Sequence, residues 1–359
     1  MRRALTILVA AAALLAGWVA ACLYLPYQKF SSQGVFVDVP HGASRRAVAR
    51  LLANQGVVRS RWVFEALSRW RSRSTLQAGE YFFHQPVTSF QVFDTIANGR
   101  VYVRELVIPE GFSMFDIADL VQREDFTSRD DFLAAARNPA LIRDLVPGAP
   151  SLEGFLFPAT YEFPRHPTGE QLVAAMVAHF RQEWVGISAQ QPNLSGLPLE
   201  KVVTLASLVE RETPKAEERP VVAGVFINRL HHRVPLQCDP TVVYALELAG
   251  DYNGRLDAAS LPFDSPYNTY RHTGLPPGPI ANPGNASLKA ALDPHETDYL
   301  YFVANTEGGH FFGKTLAEHN RNVALYRSRL AALRNAAPAS ASTTPLGTDS
   351  ISSPPQRLR

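Results

Sequence analysis

Leu205-Ala-Ser-Leu-Val-Glu-Arg-Glu-Thr213 is an apolar stretch that ends on two carboxylates, and its reading decides how the rest of the chain is understood. Its apolar spacing predicts a helix with a core-facing stripe. Ser207 and Ala206 lie three and four positions before Glu210, with Val203 a further turn back, so the stem of Glu210 points along small, largely apolar neighbours. Glu212 is expected to project roughly half a turn away, nearer Leu208 and the charged surface. Two readings of Glu210 stay open from these residues alone. Desolvation disfavours the ionised form of a carboxyl and would leave a proton donor near neutral pH. Alternatively Glu210 is a structural acid that caps the helix or pairs with Arg211 or Arg219, the commoner role of carboxylates beside apolar runs.

Outward from this helix, several blocks occupy residues 151–319. Leu152-Glu-Gly-Phe-Leu-Phe-Pro158 leads into the aromatic Thr160-Tyr-Glu-Phe163, with Glu153 near its start. Ala216-Glu-Glu-Arg-Pro220 places acids and a proline where a helix begins, and that helix continues through residues 221–230. Pro235-Leu-Gln-Cys-Asp-Pro-Thr-Val-Val-Tyr244, Ser265-Pro-Tyr-Asn-Thr-Tyr270 and Gly274-Leu-Pro-Pro-Gly-Pro-Ile-Ala-Asn-Pro-Gly284 follow. In the last of these, Pro276, Pro277, Pro279 and Pro283 fix φ, while Gly274, Gly278 and Gly284 permit turns closed to other residues. A rigid loop beside Tyr267, Asn268 and Tyr270 suits sugar recognition, in which aromatic faces stack on pyranose rings and amides read hydroxyl and acetamido groups. Taken singly, each block also has an ordinary structural explanation as a turn or connector.

At the N-terminus, Met1-Arg-Arg3 precedes residues 4–25, which carry no charge and end before Pro26. A run of that length can cross a hydrocarbon core of roughly 30 Å. Arg2 and Arg3 on one side against Lys29 on the other predict a cytoplasmic N-terminus of residues 1–3 and a soluble part outside that membrane. The run is longer than a cleavable signal's apolar region, so a retained single-pass anchor is expected. The alternative is a lipoprotein box at Val19-Ala-Ala-Cys22 with a lipidated Cys22; either way the chain is tethered to a membrane. Residues 34–84 read as strand, helix, helix, strand, an order and size that resemble a LysM module, the small fold that binds chitin-like and peptidoglycan glycans. Residues 85–150 read as a connecting α+β region, residues 151–334 as a larger mixed α+β domain, and residues 335–359 as a disordered tail rich in Ala, Ser, Thr and Pro. The fold class expected for the whole is therefore α+β, behind a single transmembrane helix.

Composition excludes several classes. A formal net charge of +2 over 359 residues implies no polyanion, and no nucleic-acid partner is expected. Cys22 and Cys238 lie too far apart in kind of environment to pair, and no Cys-x-x-Cys metal spacing exists. His231 and His232 are adjacent and do not face one metal, so neither metal nor cofactor is expected. Cys238 with His310 would be needed for a cysteine hydrolase, and no nucleophile signature surrounds it.

In combination the ordered blocks, with the closing Asp298-Tyr-Leu-Tyr-Phe-Val303, Gly308-Gly-His310 and Thr315-Leu-Ala-Glu-His-Asn320, resemble the endolytic murein transglycosylases of the MltG, or YceG-like, family. The resemblance runs from the anchor to about residue 330. It implies a bacterial inner-membrane enzyme with a periplasmic catalytic domain. Such an enzyme cuts peptidoglycan glycan strands internally, close to nascent strands and in the company of cell-wall synthases. It also implies that the first Glu of the Val-Glu-x-Glu-Thr block, Glu210, is the catalytic acid/base, with Glu212 left as support. Two departures are visible. Ala159 stands where the family usually has Asp in Phe-Pro-Asp-Thr-Tyr, and Cys238 stands where it usually has Ser or Thr, which argues against an essential hydroxyl there.

The reaction explains how one carboxylate suffices. Most glycosidases use two, but a neighbouring acetamido group can do the work of the second. In a lytic transglycosylase the acid protonates the oxygen between N-acetylmuramic acid and N-acetylglucosamine, then removes the proton from the muramyl C6 hydroxyl as that oxygen closes a 1,6-anhydro ring. Tyr267, Tyr270 and residues 274–284 are candidates to exclude water. Gln237, Asp239 and Asn268 are candidates to orient the acetamido group, and Glu153 is a weaker candidate for positioning. A non-catalytic membrane-anchored glycan-binding scaffold, or a hydrolase that leaves a reducing end, are the other classes to separate.

Overall fold

The computed structural model describes residues 2–336, and the expected tail lies outside them except for its first two residues, which close the last helix. The chain forms two compact units, residues 1–104 with 162–165, and residues 105–161 with 166 onward. The break after residue 104 differs from the limits expected near 84 and 150, because packing brings a further helix into the first unit.

That first unit starts with α1 (Arg2–Tyr24), the one helix among the described residues long and apolar enough to cross a membrane. β1 (Val35–Val39), α2 (Arg45–Asn54), α3 (Arg61–Trp70) and β2 (Gly79–Phe83) follow in the strand, helix, helix, strand order expected, and α4 (Ser89–Ala97) completes it. β1 and β2 pair antiparallel, with Val37 opposite Tyr81 and Val35 opposite Phe83. Ser44, Ser60 and Thr88 cap α2, α3 and α4 by accepting a backbone N–H in the first turn. Alternation along β1 and β2 turns Val37, Val39, Tyr81 and Phe83 inward, where they meet Val48 and Leu52 of α2, Phe64 of α3, and Val92, Phe93 and Ile96 of α4. The contribution of α4 to this core is why the unit continues past residue 84. The end of α1 is docked on the same unit: Cys22 is buried, its carbonyl accepts from the Ser89 hydroxyl at 2.7 Å, and the Tyr24 and Phe90 rings lie 5.1 Å apart.

β3 (Arg104–Val107) and β4 (Thr160–Phe163) carry the chain between the units. Between them lie α5 (Met114–Arg123) and α6 (Arg129–Ala136). α7 (Gly169–Gln190), α8 (Leu199–Glu212), α9 (Arg219–His231), α10 (Asp239–Ala249) and α11 (Asn285–Leu292) form the helical body of the second unit. The hairpin of β5 (Tyr301–Ala304) and β6 (His310–Gly313), then α12 (Leu316–Ala336), close it. α8 is the central element, packed against α9, α10 and α11. Residues 202–209 are all buried, so this helix has no solvent face over two turns and its apolar character runs all round. Its two interior hydroxyls are satisfied locally, Thr204 donating to the Glu200 carbonyl and Ser207 to that of Thr204.

The shared core of the first unit makes a quantitative expectation. Phe93→Ala removes a ring that is 1 % exposed and should cost about 3–5 kcal/mol by urea unfolding; a loss below about 1 kcal/mol would show that α4 does not belong to that core.

Candidate functional site

The two carboxylates at the end of α8 meet different surroundings. Glu210 is held on both oxygens. Its Oε1 accepts from Arg219 Nη2 at 2.6 Å and its Oε2 from the Gly284 backbone N–H at 2.9 Å, and only 4 % of its side chain is exposed. Gly284 is the N-cap of α11, so the carboxylate faces the positive end of that helix. Arg219 is itself buried and also lies 3.6 Å from Glu110 Oε2. Burial pushes the Glu210 pKa up, and the Gly284 N–H and Arg219 pull it back. Gly284 has an ordinary φ of −81°, and the absence of a Cβ there lets the Glu110 side chain lie against its backbone. The left-handed turn expected of that residue is not there. Gly111, at φ +79°, does need the left-handed region, and brings its backbone beside the Glu210 stem.

A second constellation fixes the loop that leads into α5. Buried Asn282 accepts at Oδ1 from the N–H groups of Gly154 and Leu156, both at 2.9 Å, and donates from Nδ2 to the Phe112 carbonyl and to Glu153 Oε1. Glu153 in turn accepts from the Met114 N–H at the first turn of α5. The Arg211 guanidinium donates to the Gly111 carbonyl at 3.0 Å. Glu153 therefore ties the 111–114 turn to the 274–284 loop. Burial pushes its carboxyl up to about 8, with the neighbouring Glu247 and Asp116 adding to the rise. Its N–H donors oppose the shift.

Glu212 does not lie on the charged surface expected of it. Its carboxyl is packed against Cys238 at the N-cap of α10, with Asp239, Arg229 and Arg211 as its charged neighbours, while the residue keeps some access to solvent. Desolvation pushes its pKa up to about 7; the Cys238 thiol as hydrogen-bond donor and the two arginines pull downward, and Asp239 adds to the rise. No salt bridge holds it among the described residues. Burial keeps the Cys238 thiol protonated, so position 238 supplies a weak donor where a hydroxyl would supply a stronger one. His310 is elsewhere, with its ring Nδ1 2.7 Å from Glu218 and its N–H on the same carboxylate.

The strand of chain beside Glu212 is built by backbone clamps. Arg229 donates to the carbonyls of Pro235, Leu236 and Leu300, which delivers residues 237–239 to the end of α8. Gln237 takes φ +52°, and its N–H donates to the Thr269 carbonyl. The Thr269 hydroxyl accepts from the Cys238 N–H at 3.0 Å and lies 2.9 Å from the Thr241 hydroxyl. Thus Gln237, Cys238 and Asp239 are stitched to the 265–270 loop.

Of the residues expected from sequence, Asp239 and Tyr270 come together with Glu212: the Tyr270 hydroxyl donates to Asp239 Oδ1 at 2.5 Å, and its own pKa is pushed up by burial and by both acids. Gln237 lies on the same segment. Asn268 is fully buried, donates both amide hydrogens to the Leu261 and Phe263 carbonyls and accepts from the Tyr270 N–H. It shapes the loop and has no donor left for an acetamido group. Tyr267 packs on Tyr244 with ring centroids 5.1 Å apart and sets its hydroxyl beside Gly278; burial pushes it up to about 12. Residues 278–284 are buried throughout, with the Ile280 N–H on the Ser207 hydroxyl, so this part of the proline loop is interior structure and not a groove wall. Glu153 and Glu210 sit in the two buried networks described above. Sequence reasoning missed Glu212 as the less restrained acid, and missed Asn282 and Thr269 as the clamps. The largely apolar, uncharged run of residues 202–209 before the two acids was the available signal, since a helix buried on every side also desolvates its last turn. A surface hollow of about 340 Å³ between Gln191, Pro220, Lys289 and His295 contains none of these residues.

Comparison with known proteins covers most of the chain. The model of the YceG-like family matches residues 37–325. An endolytic murein transglycosylase of Bacillus subtilis is 35 % identical over 312 residues, 82 % of this chain and 86 % of that protein. One from Streptococcus pneumoniae strain R6 is 29 % identical over 84 % of this chain, which spans 60 % of the length of that relative. The crystal structure of a YceG-like protein of Listeria monocytogenes, 32 % identical, superposes with a TM-score of 0.53 over 81 % of this chain and 99 % of that one.

The clamp of Glu153 sets a pH dependence of stability. Its folded pKa of about 8 lies above the unfolded value of 4.5, so the native state binds more protons between the two and stability falls as pH rises through that window. Glu153→Gln should flatten this decline, by an amount on the order of a few kcal/mol between pH 5 and 8 as followed by thermal melting. An unchanged slope would mean that Glu153 ionises freely in the fold.

Proposed function

The chain belongs to the YceG-like family, and on that premise we propose that it is an endolytic lytic transglycosylase of peptidoglycan whose proton carrier is Glu212. The observation that carries the assignment is the contrast at the end of α8. Glu210 has both oxygens committed and a buried guanidinium on one of them, whereas the Glu212 carboxyl is desolvated, free of a salt bridge among the described residues and pushed up to about 7, on a residue that is itself partly exposed. A general acid works best when its pKa lies near the working pH. Glu210, the expected acid, then serves with Arg219 to hold α8 against α9 and α11.

In the reaction the Glu212 O–H gives its proton to the glycosidic oxygen between N-acetylmuramic acid and N-acetylglucosamine as the C1–O bond breaks. The carboxylate so formed takes the proton of the muramyl C6 hydroxyl while O6 bonds to C1. The carboxyl ends as it began, and no water is consumed. Asp239, a charged neighbour of Glu212, and Gln237 on the same segment would meet the acetamido group or the developing positive charge at C1. Tyr270 orients Asp239. α1 serves as a single-pass inner-membrane anchor with its N-terminus in the cytoplasm, so the second unit works in the periplasm on nascent strands close to the cell-wall synthases. The LysM-like order of β1, α2, α3 and β2 suits a unit that steadies the glycan.

Product analysis by mass spectrometry on purified peptidoglycan separates the readings. Wild type should yield 1,6-anhydromuramyl ends, and Glu212→Gln should lose at least about 100-fold of that rate while melting close to wild type. Glu210→Gln should instead melt lower, because it takes from the buried Arg219 its close buried partner and leaves only the half-exposed Glu110 at 3.6 Å. Activity retained by Glu212→Gln and abolished in a folded Glu210→Gln would return the acid role to Glu210, and reducing ends in place of anhydro ends would make the chain a hydrolase. No cleavage by wild type would leave a glycan-binding scaffold.

The protonated acid is the active form, so the rate should fall as pH rises through about 7. Cys238→Ser puts a stronger donor on the carboxylate and should move that falling limb to lower pH.

A further inference from the structure

The formal charge of the chain hides a division. Residues 26–104 hold eleven Lys and Arg against four Asp and Glu, whereas the whole chain is only +2, so the remainder is net acidic. Within the first unit the acids are largely spent: Glu65 pairs with Arg69 at 2.7 Å, Asp94 with Arg71 at 2.5 Å and Glu80 with Arg165 at 2.9 Å. Arg46, Arg50, Arg59, Arg61 and Arg73 are exposed and have no carboxylate within ion-pair range among the described residues.

Aromatic rings share this surface. Trp62, in the first turn of α3, is 57 % exposed and Trp70, its last residue, 76 % exposed, although the other face of that helix carries core residues. Arg61 and Arg46 stand over the Trp62 ring at 4.5 and 6.0 Å, and Arg59 over Tyr27 at 4.6 Å. Arg46, Trp62, Glu65, Ala66 and Arg69 line a shallow hollow of about 300 Å³. Cationic forks beside amphipathic rings match a layer of phosphodiesters at an apolar boundary, where Trp and Tyr concentrate and where basic side chains bind anionic lipid.

The anchor brings this surface to such a boundary. The last turn of α1 is embedded in the unit through buried Cys22, the Ser89 hydroxyl and the Tyr24–Phe90 contact, and α1 packs on α3 and α4. No flexible spacer lies between the span and the fold. We infer that the Arg46–Arg61–Trp62 face of α2 and α3 seats on anionic phospholipid headgroups of the membrane that α1 enters, so that the first unit lies on the bilayer. The inference rests on α1 being a retained anchor. It explains why so many guanidiniums without acid partners collect on one small unit of a chain that is otherwise acidic.

The full chain reconstituted into lipid nanodiscs tests this. Discs of phosphatidylcholine alone, or with phosphatidylglycerol at three parts in ten, would carry a small fraction of lipid with a nitroxide on its headgroup, and tryptophan emission would be read. Quenching should be at least about twofold stronger in the anionic discs and fall back in high salt, as screening requires. The excess should vanish in Trp62→Phe/Trp70→Phe and in Arg46→Gln/Arg61→Gln/Arg73→Gln, whose side chains are exposed and whose fold is checked by circular dichroism. Equal quenching of wild type in the two kinds of disc overturns the proposal without reference to any variant. So does an emission change at Trp62 and Trp70 caused by soluble glycan strands and not by anionic lipid, which would give the face to the substrate. Elution of the chain apart from the discs would overturn the anchor and this face together, and is told from a silent face by that elution.

Discussion

Desolvation of carboxylates at the end of a helix buried on every side is the constraint on which the second unit depends. Residues 202–209 of α8 have no access to water, so whatever follows them begins in a medium that disfavours charge. The position aggravates this, since the C-terminal end of a helix carries partial negative charge and adds to the cost of a carboxylate there. Two acids occupy that end, and the fold treats them differently. Glu210 is neutralised by Arg219 and by the N-terminus of α11, which makes the pair a strut joining three helices. Glu212 is given only a thiol donor and more distant guanidiniums, so its proton stays within reach of exchange near neutral pH.

Much of the remaining architecture follows from keeping that arrangement in place. Asn282 spends its whole side chain on tying the 111–114 turn, Glu153 and the 154–156 backbone into one piece. Arg229 and Thr269 do the same for residues 235–241. Most of these bonds run to backbone groups, with Asn282 to Glu153 and Thr269 to Thr241 as the side-chain pairs, so the chain segments around the end of α8 are fixed directly. The proline loop belongs to the same scaffold. Its stiffness is spent inside the protein, where Ile280 and Asn282 reach α8 and the α5 entrance, and not on a wall facing solvent.

The first unit was legible as local pattern and not as a body. Ser44, Ser60 and the alternation of β1 and β2 announce each element, because capping and period-two burial are written in neighbouring residues. That α4 closes the same core, and that the end of α1 is part of it, depends on contacts between residues far apart in the chain, such as Ser89 with Cys22. Net charge misled in a similar way: a total of +2 conceals a basic unit and an acidic one, and only the placement of Arg46, Arg61 and Trp62 on one face gives the imbalance a direction.

By itself the sequence determined the apolar N-terminal run, the order of helices and strands, the α8 stretch with its two acids, and the family to which their ordered blocks belong. Those properties are carried by residue type and spacing along the chain. It did not determine which of the two acids receives a buried arginine and a helix N-terminus as partners. Glu210 and Glu212 have the same chemistry two positions apart, and their difference arises from Arg219, Gly284, Cys238 and Asp239, brought to them from α9, α10 and α11. Likewise Asn268 looks like a sugar-reading amide until the fold surrounds it with the carbonyls of Leu261 and Phe263. A side chain's partners are chosen by packing, and the energy that separates a paired strut from a desolvated acid without an ion pair is the energy of those partners.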